Sequence, residues 1–222
     1  MKKKDVYKQQ PFSDVATAIN QNTNEAEIEN PFILLLGVSA VGKSTIMRSM
    51  NEQTGNKFGY VTPYTTRPLR IGETDKMHVS ESDFKAMSAE GKFIYEKTLY
   101  GNRYGTPIEV VTKIQDARQI PILDFPLSDV DKFTCFALSI IPVYIFPNTI
   151  MDWYKQIAKL NRLSFCRLKA GLNELRAFQK TNQEPVQNLQ FISHAVVNSP
   201  GGVNQAALEL LTFLNKKGIV SN

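Results

Sequence analysis

The stretch "FILLLGVSAVGKSTIMRSM", residues 32–50, decides the fold. Its first five residues are apolar without alternation, which is typical of a strand buried on both faces of a parallel sheet. Gly37 ends that run and opens a loop of small residues, and the chain continues from Lys43 as a helix. A strand, a tight loop and a helix in this order indicate an α/β protein.

The loop fits the pattern G-x-x-x-x-G-K-[S/T], with the sequence GVSAVGKS over residues 37–44. Its glycines let successive backbone N–H groups turn toward phosphate oxygens, and the following helix adds the positive end of its dipole. The motif predicts a nucleotide site in which Lys43 reaches the β- and γ-phosphates and Ser44 binds Mg²⁺. Its predicted residues are Gly37, Ser39, Ala40, Val41, Gly42, Lys43, Ser44 and Thr45. ATPases, GTPases, small-molecule kinases and ATP-driven motors all remain compatible with this loop.

The rest of the chain alternates short apolar runs with helical patterns. The runs lie at 119–125, 139–146 and 194–199, and amphipathic helical patterns cover 149–180 and 203–216. Strands that alternate with helices predict a central parallel sheet.

Two segments differ from this pattern. Residues 1–30 are polar and predict an N-terminal appendage, and residues 62–112 carry turns, short strands and many charges. We expect the second segment to be an insert over the carboxyl edge of the sheet, where open α/β sheets bind ligands. The predicted domain is 31–222, with its core at 31–61 and 113–222.

Composition narrows the class of protein. The 222 residues carry a net charge of +5 and are 42% apolar, and no run reaches the roughly 20 apolar residues that a membrane span requires. The basic start has no aromatic platform for nucleic acid. We therefore expect a cytoplasmic protein, monomer or homodimer, with no membrane or nucleic-acid partner.

A second phosphate site is predicted downstream of the loop. In "TTRPLRIGE" (65–73), Arg67 and Arg70 flank a proline turn, and two guanidiniums can clamp one phosphate. In "YGNRYGTP" (100–107), Tyr104 lies on a turn flanked by glycines, where a phenol can reach a phosphate.

These pieces resemble the guanylate kinase family. The resemblance covers about residues 32–215 and is carried in order by "GVSAVGKST", "TTRPLRIGE", "VSESDFKAMSAEGKFIYE", "YGNRYGTP", "ILDF", "RLKAGLNEL" and "VVN". It implies a P-loop kinase three-layer fold, an inserted acceptor-binding subdomain and a lid at about 159–168. It also implies transfer of the γ-phosphoryl group of ATP to GMP with Mg²⁺.

The resemblance assigns roles by position. Arg67, Arg70 and Tyr104 correspond to the acceptor-phosphate clamp, and Thr106 to a hydroxyl that contacts the acceptor. Further roles fall on Asp124 near Mg²⁺ and the phosphates, Arg167 at the lid, and Asn198 at the donor adenine. The implied catalytic set is Lys43, Arg67, Arg70, Asp124 and Arg167, and the implied metal ligands are Ser44 and Asp124.

The departures from the family lie where the acceptor base is read. Pro63 replaces a serine, Tyr95 replaces a glutamate that accepts from guanine, and Pro126 replaces an aspartate. Glu96 takes over from that glutamate only if the strand shifts register, which would turn it to the other face. Lys76 replaces a tyrosine, and the lid is shorter, with Arg162 in place of one of its arginines.

Three functions remain open at this point. The first is an active nucleoside monophosphate kinase, either tolerant of its acceptor base or binding guanine through other groups, with GMP as the expected acceptor. The second is a kinase for another phosphorylated small molecule, such as a ribose bisphosphate. The third is a binding module for phosphopeptides, against which Lys43 argues because such modules usually lack this lysine.

Overall fold

The computed structural model describes residues 11–21, 31–69, 71–99, 101–133, 139–160, 165–179 and 189–220. The strands are β1 (Pro31–Leu36), β2 (Phe58–Tyr60), β3 (Tyr64–Thr65), β4 (Met77–His78), β5 (Phe93–Leu99), β6 (Asn102–Pro107), β7 (Ile120–Asp124), β8 (Ser139–Pro147) and β9 (His194–Asn198). The helices are α1 (Ser13–Asn20), α2 (Lys43–Thr54), α3 (Glu81–Ala89), α4 (Ile108–Asp116), α5 (Val130–Phe133), α6 (Ile150–Leu160), α7 (Phe165–Gln179) and α8 (Val203–Lys216).

The main sheet has five parallel strands in the order β2-β7-β1-β8-β9. β1 lies at its centre, and residues 32–36 are buried because neighbouring strands and helices cover both faces. Helices α2 and α8 contact each other, α4 contacts β7 and α6 contacts β8. The parallel α/β fold and the strand positions that the sequence predicts are confirmed.

A second, smaller sheet lies within the stretch predicted as an insert. Its strand order is β4-β3-β6-β5, and β6 is antiparallel to both β3 and β5. Tyr64, Phe84 and Phe93 form a hydrophobic cluster of their own beneath it. Ser80 caps α3 by accepting from the backbone N–H of Asp83 at 3.0 Å.

The described part of the N-terminal segment packs into the domain. Phe12 is fully buried and its ring stacks on Phe146 with centroids 5.1 Å apart. The amide of Asn20 pairs in both directions with the backbone of Ala195, at 3.0 Å and 2.7 Å, on the edge strand β9. Residues 11–21 therefore cover an open sheet edge rather than forming an appendage.

The long helical pattern at 149–180 contains α6 and α7, and residues 161–164 between them lie outside the described part of the chain. That gap falls within the predicted lid, including Arg162. None of the helices described is both long and apolar enough to span a membrane.

Candidate functional site

The phosphate loop is held by hydrogen bonds to its carbonyl oxygens. Lys43 Nζ donates to Gly37 O at 2.6 Å and Val38 O at 3.1 Å. The buried Trp153 donates from Nε1 to Ser39 O at 2.8 Å. Asn198 Nδ2 donates to Val41 O at 2.8 Å. With these carbonyls engaged inside the protein, the amide N–H groups of the loop are the ones that can converge on an anion.

The backbone of the loop requires its glycines. Gly42 has φ 101° and Gly37 has φ 129°, in the region that favours glycine. A Cβ on Gly37 would lie 2.5 Å from Ile145 O, and one on Gly42 would lie 2.4 Å from Asn198 Nδ2. Ala40 also has a positive φ, 65°, a strained conformation of the kind that clusters at binding sites.

Lys43 and Asp124 form an ion pair at the carboxyl edge of the main sheet. Lys43 Nζ lies 3.4 Å from Asp124 Oδ1, and the lysine side chain is buried whereas half of the aspartate side chain is exposed. Asp124 ends β7, where its Cα pairs with that of Leu35 in β1. The structure therefore brings together two of the predicted catalytic residues at the strand ends where α/β proteins bind ligands.

The predicted acceptor clamp is organised around Arg67. Its Nη2 donates to both carboxylate oxygens of Glu73, at 2.6 Å and 2.7 Å, and its Nη1 donates to Pro68 O at 2.7 Å. These contacts with Glu73, together with the Tyr104 hydroxyl, raise the pKa of Arg67 above its ordinary value. Arg67 and Tyr104 are therefore neighbours, as the clamp requires, whereas Arg70 lies outside the described residues.

One face of the β5–β6 hairpin carries the other predicted acceptor residues. Tyr95 pairs with Thr106 and Lys97 pairs with Tyr104 across the two strands, so these four side chains share a face. Tyr95 packs on the ring of Phe125, the residue after Asp124, with centroids 4.9 Å apart. This face is therefore directed at the carboxyl edge of the main sheet.

Glu96, the alternative residue for binding the acceptor base, lies on the opposite face of the β5–β6 hairpin. It pairs with Gly105 and is exposed. The register of the hairpin is irregular between Phe93 and Tyr95, but Tyr95, and not Glu96, lies opposite Thr106. Tyr95 therefore remains the residue predicted to contact the acceptor.

A charged cluster that the sequence did not single out lies beside Tyr95. Asp129 accepts from Lys97 Nζ at 2.9 Å and from Lys132 Nζ at 3.1 Å. The Tyr95 hydroxyl also interacts with this carboxylate. Asp129 follows Pro126 in a 3₁₀ turn at Leu127–Asp129, a turn that the sequence pattern does not reveal. The alternation of Tyr95 and Lys97 along one strand was the available signal for half of this cluster.

Two further residues near the clamp were missed. Glu73 lies at the end of the quoted "TTRPLRIGE" motif but was given no role, although it binds Arg67. Tyr60 ends β2, and burial, followed by the negative charge of Asp124, raises the pKa of its phenol. Both residues contribute to the electrostatics of the space between the clamp and the phosphate loop.

Asn198 and Arg167 differ in how far they are buried. Asn198 is buried, and within the described ranges its Oδ1 has no hydrogen-bond partner. Arg167 is half-buried near the start of α7. Their predicted roles at the donor adenine and at the lid remain predictions.

Comparison with known proteins identifies the family. The guanylate kinase family model matches residues 29–195. The chain belongs to the guanylate kinase family. It is 31% identical over 121 residues to the guanylate kinase of Schizosaccharomyces pombe, covering 53% of this chain and 60% of that protein. It is also 31% identical over 138 residues to the guanylate kinase of Nostoc sp., covering 61% of this chain and 69% of that protein.

A solved structure shows the same fold. The guanylate kinase of Anaplasma phagocytophilum superposes with a TM-score of 0.60 at 17% identity, covering 88% of this chain and 89% of that one. The match to the Arabidopsis thaliana guanylate kinase 1 spans only 32% of that protein. The comparisons thus establish the family and the fold of this chain.

Proposed function

We propose that this protein transfers the γ-phosphoryl group of ATP to GMP, as an ATP:nucleoside monophosphate phosphotransferase. The observation that carries the proposal is the Lys43–Asp124 pair, 3.4 Å apart, at the phosphate loop of a guanylate kinase family member. Phosphoryl transfer needs positioning and neutralisation of charge more than it needs a covalent catalyst.

The donor half of the site is the loop and the start of α2. Here the backbone N–H groups and Lys43 would bind the phosphates of ATP. Asn198 Oδ1, buried and without a partner in the described chain, is an acceptor that the amino group of adenine would satisfy. An unpaired buried acceptor costs about 1–3 kcal/mol, so a donor from the ligand would stabilise this arrangement.

The part of the site that would bind the acceptor GMP lies in the insert, residues 62–112. Arg67, Arg70 and Tyr104 would bind the phosphate of GMP, and Thr106 lies on the same hairpin face as Tyr104. Arg167 would approach the phosphates from α7. No general base is required because the acceptor phosphate already carries a nucleophilic oxygen.

The residues at the loop suit Mg²⁺. The Ser44 hydroxyl and the half-exposed Asp124 carboxylate are hard oxygen donors, and Mg²⁺ is typically bound by one or two protein oxygens with phosphates and waters. In the described parts of the chain, no group of three or more His, Cys, Asp or Glu side chains gathers to hold a metal. Mg²⁺ bound here would neutralise the charge that develops on the transferred phosphoryl group.

The experiment is an ADP-release assay with ATP, Mg²⁺ and a panel of acceptors. The panel holds GMP, dGMP, IMP, AMP, UMP, CMP, a ribose bisphosphate and a phosphopeptide. We expect acceptor-dependent ADP release with GMP above background. Turnover only with the ribose bisphosphate, or binding of the phosphopeptide with no turnover at all, would contradict the proposal.

A further inference from the structure

Three side chains, Tyr95, Lys97 and Asp129, contact one another beside the hairpin face and are here called the base cluster. Tyr95 replaces the glutamate, and Pro126 replaces the aspartate, three residues before Asp129. The cluster lies on the hairpin face that also carries Tyr104 of the phosphate clamp. A nucleotide held by its phosphate at Tyr104 would place its base along this face.

Asp129 is the ionised centre of the base cluster. Burial by itself would raise its pKa, but the ammonium groups of Lys97 and Lys132 outweigh this effect and lower the pKa below the ordinary range. Only 12% of its side chain is exposed, whereas 63% of the Lys132 side chain is exposed. Lys132 thus approaches from the solvent side, and Lys97 from the hairpin face.

The charge of Asp129 fixes the polarity of its two neighbours. An ionised carboxylate only accepts hydrogen bonds, so the Tyr95 hydroxyl donates its proton toward Asp129. The lone pairs of the Tyr95 oxygen are then left to accept. Lys97 donates one hydrogen to Asp129 and retains two others. The hairpin face therefore presents an acceptor, Tyr95 Oη, and a donor, Lys97 Nζ, near each other.

We propose that Tyr95 Oη and Lys97 Nζ bind the acceptor base and select a 6-oxopurine over adenine, with Asp129 as the positioning residue that orients both. The N1–H of guanine or hypoxanthine would donate to Tyr95, and the 6-oxo oxygen would accept from Lys97. This inference rests on the proposed function, because it takes the acceptor to be a nucleoside monophosphate.

Unlike recognition by two carboxylates, the proposed recognition makes no use of the 2-amino group of guanine. N1–H and the 6-oxo group are common to guanine and hypoxanthine, and only guanine has a 2-amino group. A tyrosine oxygen that accepts from N1–H makes no contact with the 2-amino group. GMP and IMP should therefore bind with similar affinity. Adenine presents the reverse pattern, with an acceptor at N1 and a donor at position 6, so it would leave both protein groups unpaired.

The test is calorimetric binding of GMP, IMP, AMP and UMP, which does not depend on phosphoryl transfer. For the unmodified protein we expect GMP and IMP to agree within about tenfold in Kd, and AMP to bind at least about 30-fold more weakly. Asp129→Asn supplies an amide that can donate, and Tyr95→Phe removes only the hydroxyl. Each should reduce the preference for GMP over AMP by about tenfold or more. Lys113→Met is the control, and it should leave the ratio within about threefold because Lys113 is an exposed lysine of α4 that pairs with Glu109 and not with Asp129.

The outcomes separate the two proposals. GMP and IMP binding with this pattern, without ADP release, supports the base cluster and contradicts the kinase activity. If GMP binds about 100-fold more tightly than IMP, the proposed role of the base cluster is wrong, although the kinase activity can still hold. The same follows if UMP binds more tightly than both purine nucleotides. An unchanged ratio in Tyr95→Phe overturns it as well, even if Asp129→Asn fails to fold.

Discussion

Lys43 Nζ lies 3.4 Å from Asp124 Oδ1, which joins the phosphate loop to the end of the neighbouring strand β7. The pair places a buried cation and a half-exposed carboxylate at the same edge of the sheet. The carboxylate keeps an accessible surface on which a metal–nucleotide complex can bind.

Removing the charge of Asp124 should impair catalysis with little effect on folding. We expect Asp124→Asn to lower kcat by about 100-fold and to raise the Mg²⁺ concentration needed for half-maximal rate. Rates measured over a Mg²⁺ series would check this. Asp116→Asn, at an exposed aspartate of α4, should behave like the unmodified protein. Equal Mg²⁺ profiles for both variants would exclude Asp124 as a ligand.

Gly42→Ala should disturb the phosphate loop for two reasons that can be separated. First, the φ of 101° at position 42 costs about 1–3 kcal/mol for a residue that has a Cβ. Second, that Cβ would lie 2.4 Å from Asn198 Nδ2. We expect lower stability to urea and a higher KM for ATP. Gly91→Ala is the control, because it has φ 66° but nothing within 4 Å of its Cβ. If the two variants lost equal stability, the contact with Asn198 would be unimportant.

Arg67→Lys should weaken binding of the acceptor. Arg67 donates from Nη2 to both Glu73 oxygens and from Nη1 to Pro68 O, which holds its planar group in one orientation, whereas the ammonium of lysine has no such geometry. We expect the KM for GMP to rise by about tenfold or more, measured at saturating ATP. Arg118→Lys, at an exposed turn, serves as the control and should leave this KM unchanged.

His194 should make stability depend on pH between about 6.5 and 4. Burial, and then the positive charge of Lys216, lowers the pKa of His194 to about 4, so the unfolded chain binds a proton there before the native protein does. Its contribution to stability is therefore present above pH 6.5 and is lost as the pH falls, by about 2 kcal/mol at pH 5.

Urea unfolding at pH 7 and pH 5 measures this effect. His194→Phe keeps an aromatic ring on Phe213, which the imidazole stacks against at 4.1 Å, and should lose less free energy of unfolding at pH 5 than the unmodified protein. His78→Gln, at an exposed histidine, should retain the full loss. Identical losses in all three proteins would show that His194 is not the titrating group.

Phe12→Ala should destabilise the whole domain. Phe12 is fully buried against Phe146, so its truncation should cost about 3 kcal/mol. Leu208→Ala, on a side chain that is 52% exposed, should cost less than about 0.5 kcal/mol. A loss at Phe12 no larger than at Leu208 would mean that residues 11–21 do not support the fold.

The sequence predicts the parts of the site that depend on local pattern. The apolar run before Gly37 and the spacing up to Lys43 specify a strand, a loop and a helix without knowledge of the rest of the chain. The resemblance to the family predicts Asp124 near the loop, and the fold brings it there because the ends of parallel strands meet at one edge of the sheet.

Other features depend on packing that no local pattern encodes. The polar composition of residues 1–30 does not predict that Phe12 and Asn20 pack into the domain. Their partners lie more than a hundred positions away along the chain. Asp129 reaches Lys97 through a 3₁₀ turn, so the charged partner of a strand residue lies on another element. Trp153 is buried in the core and also donates a hydrogen bond to Ser39 O in the loop.

We expect Lys43 to serve transfer of the γ-phosphoryl group from ATP to GMP. The most direct test of this role is the formation of GDP, followed by ³¹P NMR, with the unmodified protein and with Lys43→Met at matched thermal stability. We predict one GDP for each ADP in the unmodified protein, and a rate lower by about 100-fold or more in Lys43→Met. ADP without GDP, or GDP formation at an unchanged rate in Lys43→Met, would contradict the account.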